Sequence, residues 1–286
     1  MSNNETSRAV LLTGASGGVG LATTRALAEQ GYRVYAGVRN VNEFQGAKRN
    51  VHPIRLDVTD PESIAAAVES VYAKGDTALA GIVNNAGIII QGPMELVPAD
   101  DLRQQFEVNV LGPAAVTQAF LPLLRRGRGR LVNITASTAR VPGPFFGPIS
   151  ASKAALQALS DALRLELAYW DIPVVVLEPG ALETQIFAKA AAAQQKANAA
   201  LAQEQLDLYA EQLEAVGAAM AKMKPSPPSI LADAVLKALT VKKPKPRYKV
   251  GPDTRLVGVI SRLPLSTRDG MLAGVMGIKK LHAADA

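Results

Sequence analysis

The chain has 286 residues, an ordinary apolar fraction, few aromatics and a modest net charge of +6. That length can bury a substantial core, as one large α/β unit or two small ones. With no cysteine, disulfides, zinc–thiolate sites and thiol nucleophiles are excluded, and no apolar run approaches the roughly 20 residues that span a bilayer.

The polar start "MSNNETSR" runs straight into an apolar segment, so a cytoplasmic protein without a signal peptide is expected. "AVLLT" reads as a strand, followed by a glycine-rich turn and a helix from Val19 to Gln30. Gly14, Gly17, Gly18 and Gly20 fall in that turn. Absent side chains let a backbone approach a diphosphate at the positive end of the next helix, though a tight turn without a ligand gives the same pattern.

"YRVYAGV" and "HPIRLDV" read as the next two strands. A helix from Pro61 to Lys74 follows, with Asp60 as N-cap and Pro61 at the first helical position. "AGIVNNA", "GRLVNIT", "IPVVVLEP" and "RYKVG" complete seven apolar runs suited to strands covered on both faces. Strands alternating with helices predict a doubly wound, seven-stranded parallel sheet, the α/β Rossmann class.

Beyond the sixth strand, residues 187–223 are rich in Ala, Gln and Glu. Leu206, Tyr209, Leu213, Val216, Met220 and Met223 recur at spacings of three and four, which predicts a one-sided helix packed on the body or roofing a pocket. "KPSPPS" breaks it, and a helix from Ile230 to Leu239, a basic loop, the last strand and a mildly apolar tail follow. The expected layout is a single Rossmann-type domain over 1–286, with a core at 8–185, a helical lid at about 186–224 and a C-terminal extension at 225–286. The basic stretch from Lys242 to Lys249 is interleaved with prolines and reads as a solvated loop, with contact to nucleic acid or anionic lipid as the alternative. No nucleic acid, no membrane contact and no metal site are expected. Neither His52 nor His282 accompanies a candidate site.

"TGASGGVG", "LDVTD" around Asp57, "NNAG" from Asn84, "NVLG" from Asn109 and "EPGALET" from Glu178 occur in order and spacing that resemble the short-chain dehydrogenase/reductase family. The resemblance covers residues 8–250, and its last part is similar to the 17β-hydroxysteroid and retinol dehydrogenase branch. It implies that Gly14, Ser16, Gly17, Gly18, Val19 and Gly20 cradle a diphosphate. Asp57 and Val58 would hold the adenine, and Asn84, Ala86 and Gly87 would line its ribose. Pro179, Gly180 and Thr184 would meet the nicotinamide carboxamide. Where an acid would accept bonds from a ribose 2′-hydroxyl, this chain has Arg39 after Val38. A guanidinium suits a 2′-phosphate, so NADP(H) is favoured over NAD(H).

In that family a Tyr and a Lys four residues apart on one helix, with a Ser thirteen before the Tyr, handle the proton of carbonyl reduction. Lys153 and Asn109 keep their positions here, but the Tyr and Ser positions fall on Ile149 and Ala136. Neither side chain can donate a hydrogen bond. A positioned general acid is worth roughly 10²–10⁴-fold, so ordinary ketone or alcohol chemistry is expected to be very slow. Ser137 could supply a weak hydroxyl, Ser150 points about 100° around the helix from Lys153, and Tyr209 could reach in from the roof. The leading reading is an NADPH-dependent oxidoreductase whose substrate needs no protein-supplied proton, such as an iminium, a quinone methide or a polarised alkene. The alternatives are an inactive NADP(H)-binding sensor or scaffold, and a non-redox cyclase or isomerase. Val141, Pro142, Phe145, Phe146, Ile149 and Leu182, with Ala136 and Tyr209, would line a pocket for a bulky hydrophobic substrate; the two Phe residues fit core packing equally. A homodimer or homotetramer through the helices carrying Asn109 and Lys153 is expected.

Overall fold

The computed structural model describes residues 8–46 and 48–281; His282 and the first seven residues lie outside the described residues. Seven parallel strands form one sheet in the order β3-β2-β1-β4-β5-β6-β7. These are β1 (Ala9–Thr13), β2 (Arg33–Val38), β3 (Val51–Arg55), β4 (Gly81–Asn84), β5 (Arg130–Ile134), β6 (Val174–Pro179) and β7 (Arg247–Val250). All five residues of β1 and all six of β6 are buried, as the apolar runs require.

Eleven α-helices are described: α1 (Gly18–Glu29), α2 (Pro61–Ala73), α3 (Ala99–Phe106), α4 (Gly112–Gly127), α5 (Gly147–Leu167), α6 (Ile186–Asn198), α7 (Gln203–Asp207), α8 (Ala210–Ala221), α9 (Ser229–Thr240), α10 (Asp253–Ile260) and α11 (Leu265–Val275). Asp60 caps α2 by accepting from the Glu62 N–H at 3.0 Å. Alternation along β1 divides the core. Val10 and Leu12 pack with Leu27 and Val235, whereas Ala9 and Leu11 pack with Ile64 and Phe120 on the other face. Strand order reverses between β1 and β4, so a crevice opens beyond their C-terminal ends.

One expectation needs correction. The stripe over 187–223 is not one helix but three, broken near Ala199 and again at Tyr209. The breaks let it follow the body: Val216 is buried, Leu206, Tyr209, Leu213 and Met220 are half-buried, and Met223 is exposed. The basic stretch is an exposed loop up to β7, with Lys242, Lys243 and Lys245 open to solvent. Arg247 turns inward to Glu178 and Asp161, and Lys249 lies against Gly258 of α10.

Candidate functional site

The β1–α1 turn is built by contacts that only glycine permits. Gly14 has φ +64°, and a Cβ there would stand 2.8 Å from the Ala86 Cα. A Cβ on Gly20 would stand 2.7 Å from the Ala15 Cα, and one on Gly18 would meet the Thr184 methyl at 3.4 Å. Thr13 fastens the turn to the end of β4. Its hydroxyl oxygen accepts from the Asn85 and Ala86 N–H groups, both at 3.0 Å. The Asn85 amide in turn donates to the Thr13 and Gly14 carbonyls, also at 3.0 Å. No side chain caps α1, while Ser16, Gly17 and Gly18 are exposed and Val19 is half-buried. Uncapped backbone N–H groups at a helix N-terminus, without Cβ atoms in front, fit a diphosphate.

At the ends of β2 and β3 lie Arg39 and Asp57. Burial pushes the Asp57 carboxyl up, but the Thr59 N–H and hydroxyl, with Arg39 and Arg55, outweigh it and hold it below the ordinary value. Asp57 accepts from Thr59 N and Oγ1 at 3.0 and 2.7 Å, which folds the chain into a turn and ends β3 at Arg55, short of Val58. Val58 is buried against Gly112 of α4. Arg55 pairs in register with Val38 and adds a second exposed guanidinium beside Arg39. Sequence reasoning missed it, although a charged residue ending an apolar strand was the available signal.

The Asn84 side chain is engaged within the sheet. It is buried, and its amide donates to Asn133 Oδ1 at 2.8 Å and Thr117 Oγ1 at 3.1 Å, bracing β4 against β5 and α4. Gly87 and Ala86 do lie at the crevice, since Ala86 faces Gly14 and Gly87 faces Asn109 and Lys153.

Three expected residues converge at the other end. A Cβ on Gly87 would stand 3.2 Å from Asn109 Oδ1 and 3.5 Å from Lys153 Nζ. Asn109 sits in a π-helical turn, Glu107–Leu111, between α3 and α4, a local widening often found at functional sites. Its side chain accepts from the Ile88 N–H at 2.9 Å and donates to the Ile88 carbonyl at 3.0 Å. Lys153 is buried, and its ammonium donates to the Ile134 carbonyl at 3.0 Å. Two partners had no signal in the sequence. Ser152 accepts from Asn109 at 3.2 Å and donates to the Ile149 carbonyl at 2.9 Å. Gln105, fully buried, clamps Ile88 and Ile90.

Burial pushes the Lys153 ammonium down to about 8 from an ordinary 10.5. Below pH 8 folded and unfolded chains both hold the proton, and the burial penalty applies in full. Between about 8 and 10.5 the folded protein releases it first, so the penalty fades. Stability against urea is therefore expected to rise with pH across that window, by at most ~1.4 kcal/mol per pH unit from this group. Lys153→Met should remove that part of the rise.

Ile149 is buried one turn before Lys153, and Ala136 is half-buried at the end of β5. Hydroxyls do lie nearby in sequence. Those of Ser150 and Thr138 are buried without a hydrogen-bond partner, and Ser137 is half-buried. The following loop is tied down by Glu178, which accepts from Arg140 at 3.0 Å, Gln157 at 3.1 Å and Arg247 at 3.2 Å.

The expected pocket residues divide. Phe145 holds a left-handed backbone (φ +67°), and its carbonyl accepts from the Gly92 N–H at 2.8 Å. Its ring meets Tyr209 edge-on at 6.3 Å. Phe146 is half-buried just before α5, Val141 is buried in the same loop, and Pro142 is exposed. Leu182 instead belongs to the core shared with Val235 and Leu177, because residue 182 bridges to Ser226 next to α9. Tyr209 donates to Glu95 at 2.6 Å, and that carboxylate pushes its hydroxyl above the ordinary value. Its phenol fastens the lid to the body, a use that competes with any proton transfer.

Pro179 ends β6, and Gly180 lies against the Asp253 carboxylate, which also accepts from the Ala181 N–H at 3.1 Å. Thus the first turn of α10 holds the loop leading to Thr184.

A family model described as short chain dehydrogenase matches residues 8–195. The NADPH-dependent 3-dehydrocapnine reductase of Ornithobacterium rhinotracheale is 33% identical over 86% of this chain and 88% of that protein. The 3-amino-tetrahydro-pyrrolizinone reductase of Xenorhabdus hominickii is 39% identical, over 64% of this chain and 65% of that one. Retinol dehydrogenase 5 of Mus musculus is 31% identical over 93% of this chain and 88% of that one. Among solved structures, a short chain dehydrogenase from Burkholderia cenocepacia in complex with NADP has a TM-score of 0.75 at 24% identity, over 95% of this chain and 99% of that one.

Proposed function

The chain belongs to the short-chain dehydrogenase family, and on that premise we propose that it binds NADP(H) and passes hydride to a bulky hydrophobic acceptor needing no proton from Tyr or Ser. The observation that carries this reading is the contrast within one crevice. Gly14, Gly18 and Gly20 leave a backbone cradle with Thr184 beside it, and Gly87, Asn109 and Lys153 lie together at the other end. Yet positions 149 and 136 are aliphatic.

Bound there, the dinucleotide would supply the hydride. The protein's residues would do the rest. The α1 N-terminus would take the diphosphate, and Arg39 with Arg55 the 2′-phosphate. Lys153, already aimed at the crevice by the Ile134 carbonyl, would donate to the nicotinamide ribose, while Ile149 would pack against a flat acceptor and exclude water. An iminium accepts hydride without a proton and leaves a neutral amine, so it suits an aliphatic site. The reading is tested by mixing NADPH-loaded protein with iminium, enone, quinone-methide and ketone compounds and following the nicotinamide absorbance. A binder without turnover would consume none of them.

Arg39→Ala is expected to weaken NADPH by roughly 10-fold or more while leaving NADH little changed, since a charged hydrogen bond is worth about 1.5–3 kcal/mol. Fluorescence titration with both dinucleotides measures it; equal losses for both would remove the 2′-phosphate role.

Self-association is proposed through α4 and α5. Leu159 and Leu165 on α5, Tyr169 just beyond it and Leu111 before α4 are all exposed, Leu165 at 77% and Tyr169 at 85%. Leu165→Asp should lower the mass found by light scattering to that of a smaller species, with the thermal midpoint of the separated subunit retained.

A further inference from the structure

We propose that the outer faces of α10 and α11 dock on an anionic lipid surface. Five large apolar side chains face solvent there: Leu256 (62%) and Val259 (60%) on α10, and Leu265 (62%), Met271 (42%) and Val275 (70%) on α11. These helices are not adrift. Thr254 and Gly258 form the buried side of α10, Met276 lies near Gly143, and Gly277 sits against Ala215 of α8. On α10 the exposed Leu256 and Val259 turn away from the buried Thr254 and Gly258, while α11 buries none of its residues and leaves its apolar side chains open; exposed apolar side chains gathered on neighbouring helices mark an interaction surface.

Charge selects the occupant. Arg255, Arg262, Lys279 and Lys280 are exposed along the same segment. Of its two acids, Asp253 turns inward to the Ala181 N–H, and only Asp269 is exposed, beside Arg268. Apolar side chains flanked by free cations match acyl chains beneath anionic headgroups. A second copy is a poorer match. A two-fold contact sets the same patch against itself, which would bring those four cations toward their own copies, and the proposed self-association surface on α4 and α5 lies elsewhere. Among the described residues no helix is long and apolar enough to cross a membrane, so the segment would lie on the surface. The expectation of no membrane contact concerned a spanning run and the basic stretch from Lys242 to Lys249, not this face.

The position adds a purpose. Met276 lies near Gly143 in the loop bearing Val141 and Phe145, and Gly277 lies against the lid. A docked protein would thus present its pocket to compounds dissolved in the bilayer. That purpose rests on the proposed substrate class; the docking does not, and vesicle binding is measured without turnover.

The full chain is tested by flotation with vesicles of phosphatidylcholine alone or mixed with phosphatidylglycerol. At least 10-fold stronger partition to the anionic vesicles is expected, falling with added salt. Leu256→Ser with Leu265→Ser and Val275→Ser should reduce it at least 10-fold, with the thermal midpoint and NADPH affinity unchanged. Changing Arg255, Arg262, Lys279 and Lys280 to Gln, a set that touches no packed side, should abolish the preference for anionic lipid. Three results would overturn the proposal: no vesicle binding by the wild type, equal partition to both vesicles, or self-association that the apolar triple variant alone abolishes.

Discussion

Ala136→Ser combined with Ile149→Tyr is expected to raise reduction of simple ketones by about 10²–10⁴-fold. The reason is local. Position 149 lies one turn before Lys153 on α5, so a phenol there would share the face that carries the buried ammonium. Among the described residues that ammonium pairs with no carboxylate and donates to the Ile134 carbonyl, so its charge would favour the phenolate and make the phenol a better acid. A Ser at 136, two residues past β5, would place a second donor toward the reacting oxygen, so the pair should reach the upper part of that range. Each single variant should gain less than the pair. Steady-state kcat/KM over a panel of cyclic and aromatic ketones measures this. A double variant that binds NADPH normally yet gains nothing would show that the loop from Val141 to Phe146 no longer shapes a carbonyl pocket.

The second large effect belongs to the turn. Gly20→Ala should cost ~1–3 kcal/mol of stability, as overpacking does, and lower NADPH affinity at least 100-fold. Its new Cβ would press on the Ala15 Cα and the Gly14 carbonyl, backbone on both, in the segment meant to cradle phosphate. No side chain can swing aside there. Gly17→Ala is the control. Its Cβ would meet only the Gly14 oxygen at 3.7 Å, an ordinary contact, and its φ of −74° suits any residue. Urea unfolding and fluorescence titration of the two variants should separate them clearly. A Gly20→Ala protein as stable and as tight as Gly17→Ala would contradict the turn geometry.

The sheet was legible because strands covered on both faces leave unbroken apolar runs, and "AVLLT" and "VVVLEP" are buried throughout. The glycine turn was legible because its function requires missing side chains at fixed spacing. What escaped depends on pairs distant in the chain. Thr13 and Asn85 bind one another's backbone across more than seventy positions, and Glu178 gathers Arg140 and Arg247 from opposite directions. Asn84 carries a family motif, yet its amide was already taken by Asn133 and Thr117, which no linear pattern records. Tyr209 looked like a free hydroxyl until Glu95 was found beside it. The tail read as mildly apolar because periodicity identifies an apolar face but does not say whether that face turns inward. In α10 and α11 part of it turns out.

The central claim is that hydride leaves this site without a proton from positions 136 and 149. Its most direct test is single-turnover absorbance of NADPH-loaded protein mixed in parallel with a cyclic iminium and the ketone of the same ring size. Stoichiometric oxidation of NADPH by the iminium, used as its N-alkyl form, is expected, with a rate constant that stays flat as pH is raised from roughly 6 to 7.5, below the Lys153 transition, and negligible oxidation by the ketone. Ketone reduction as fast as that of the iminium, or NADPH left intact by both, would contradict it.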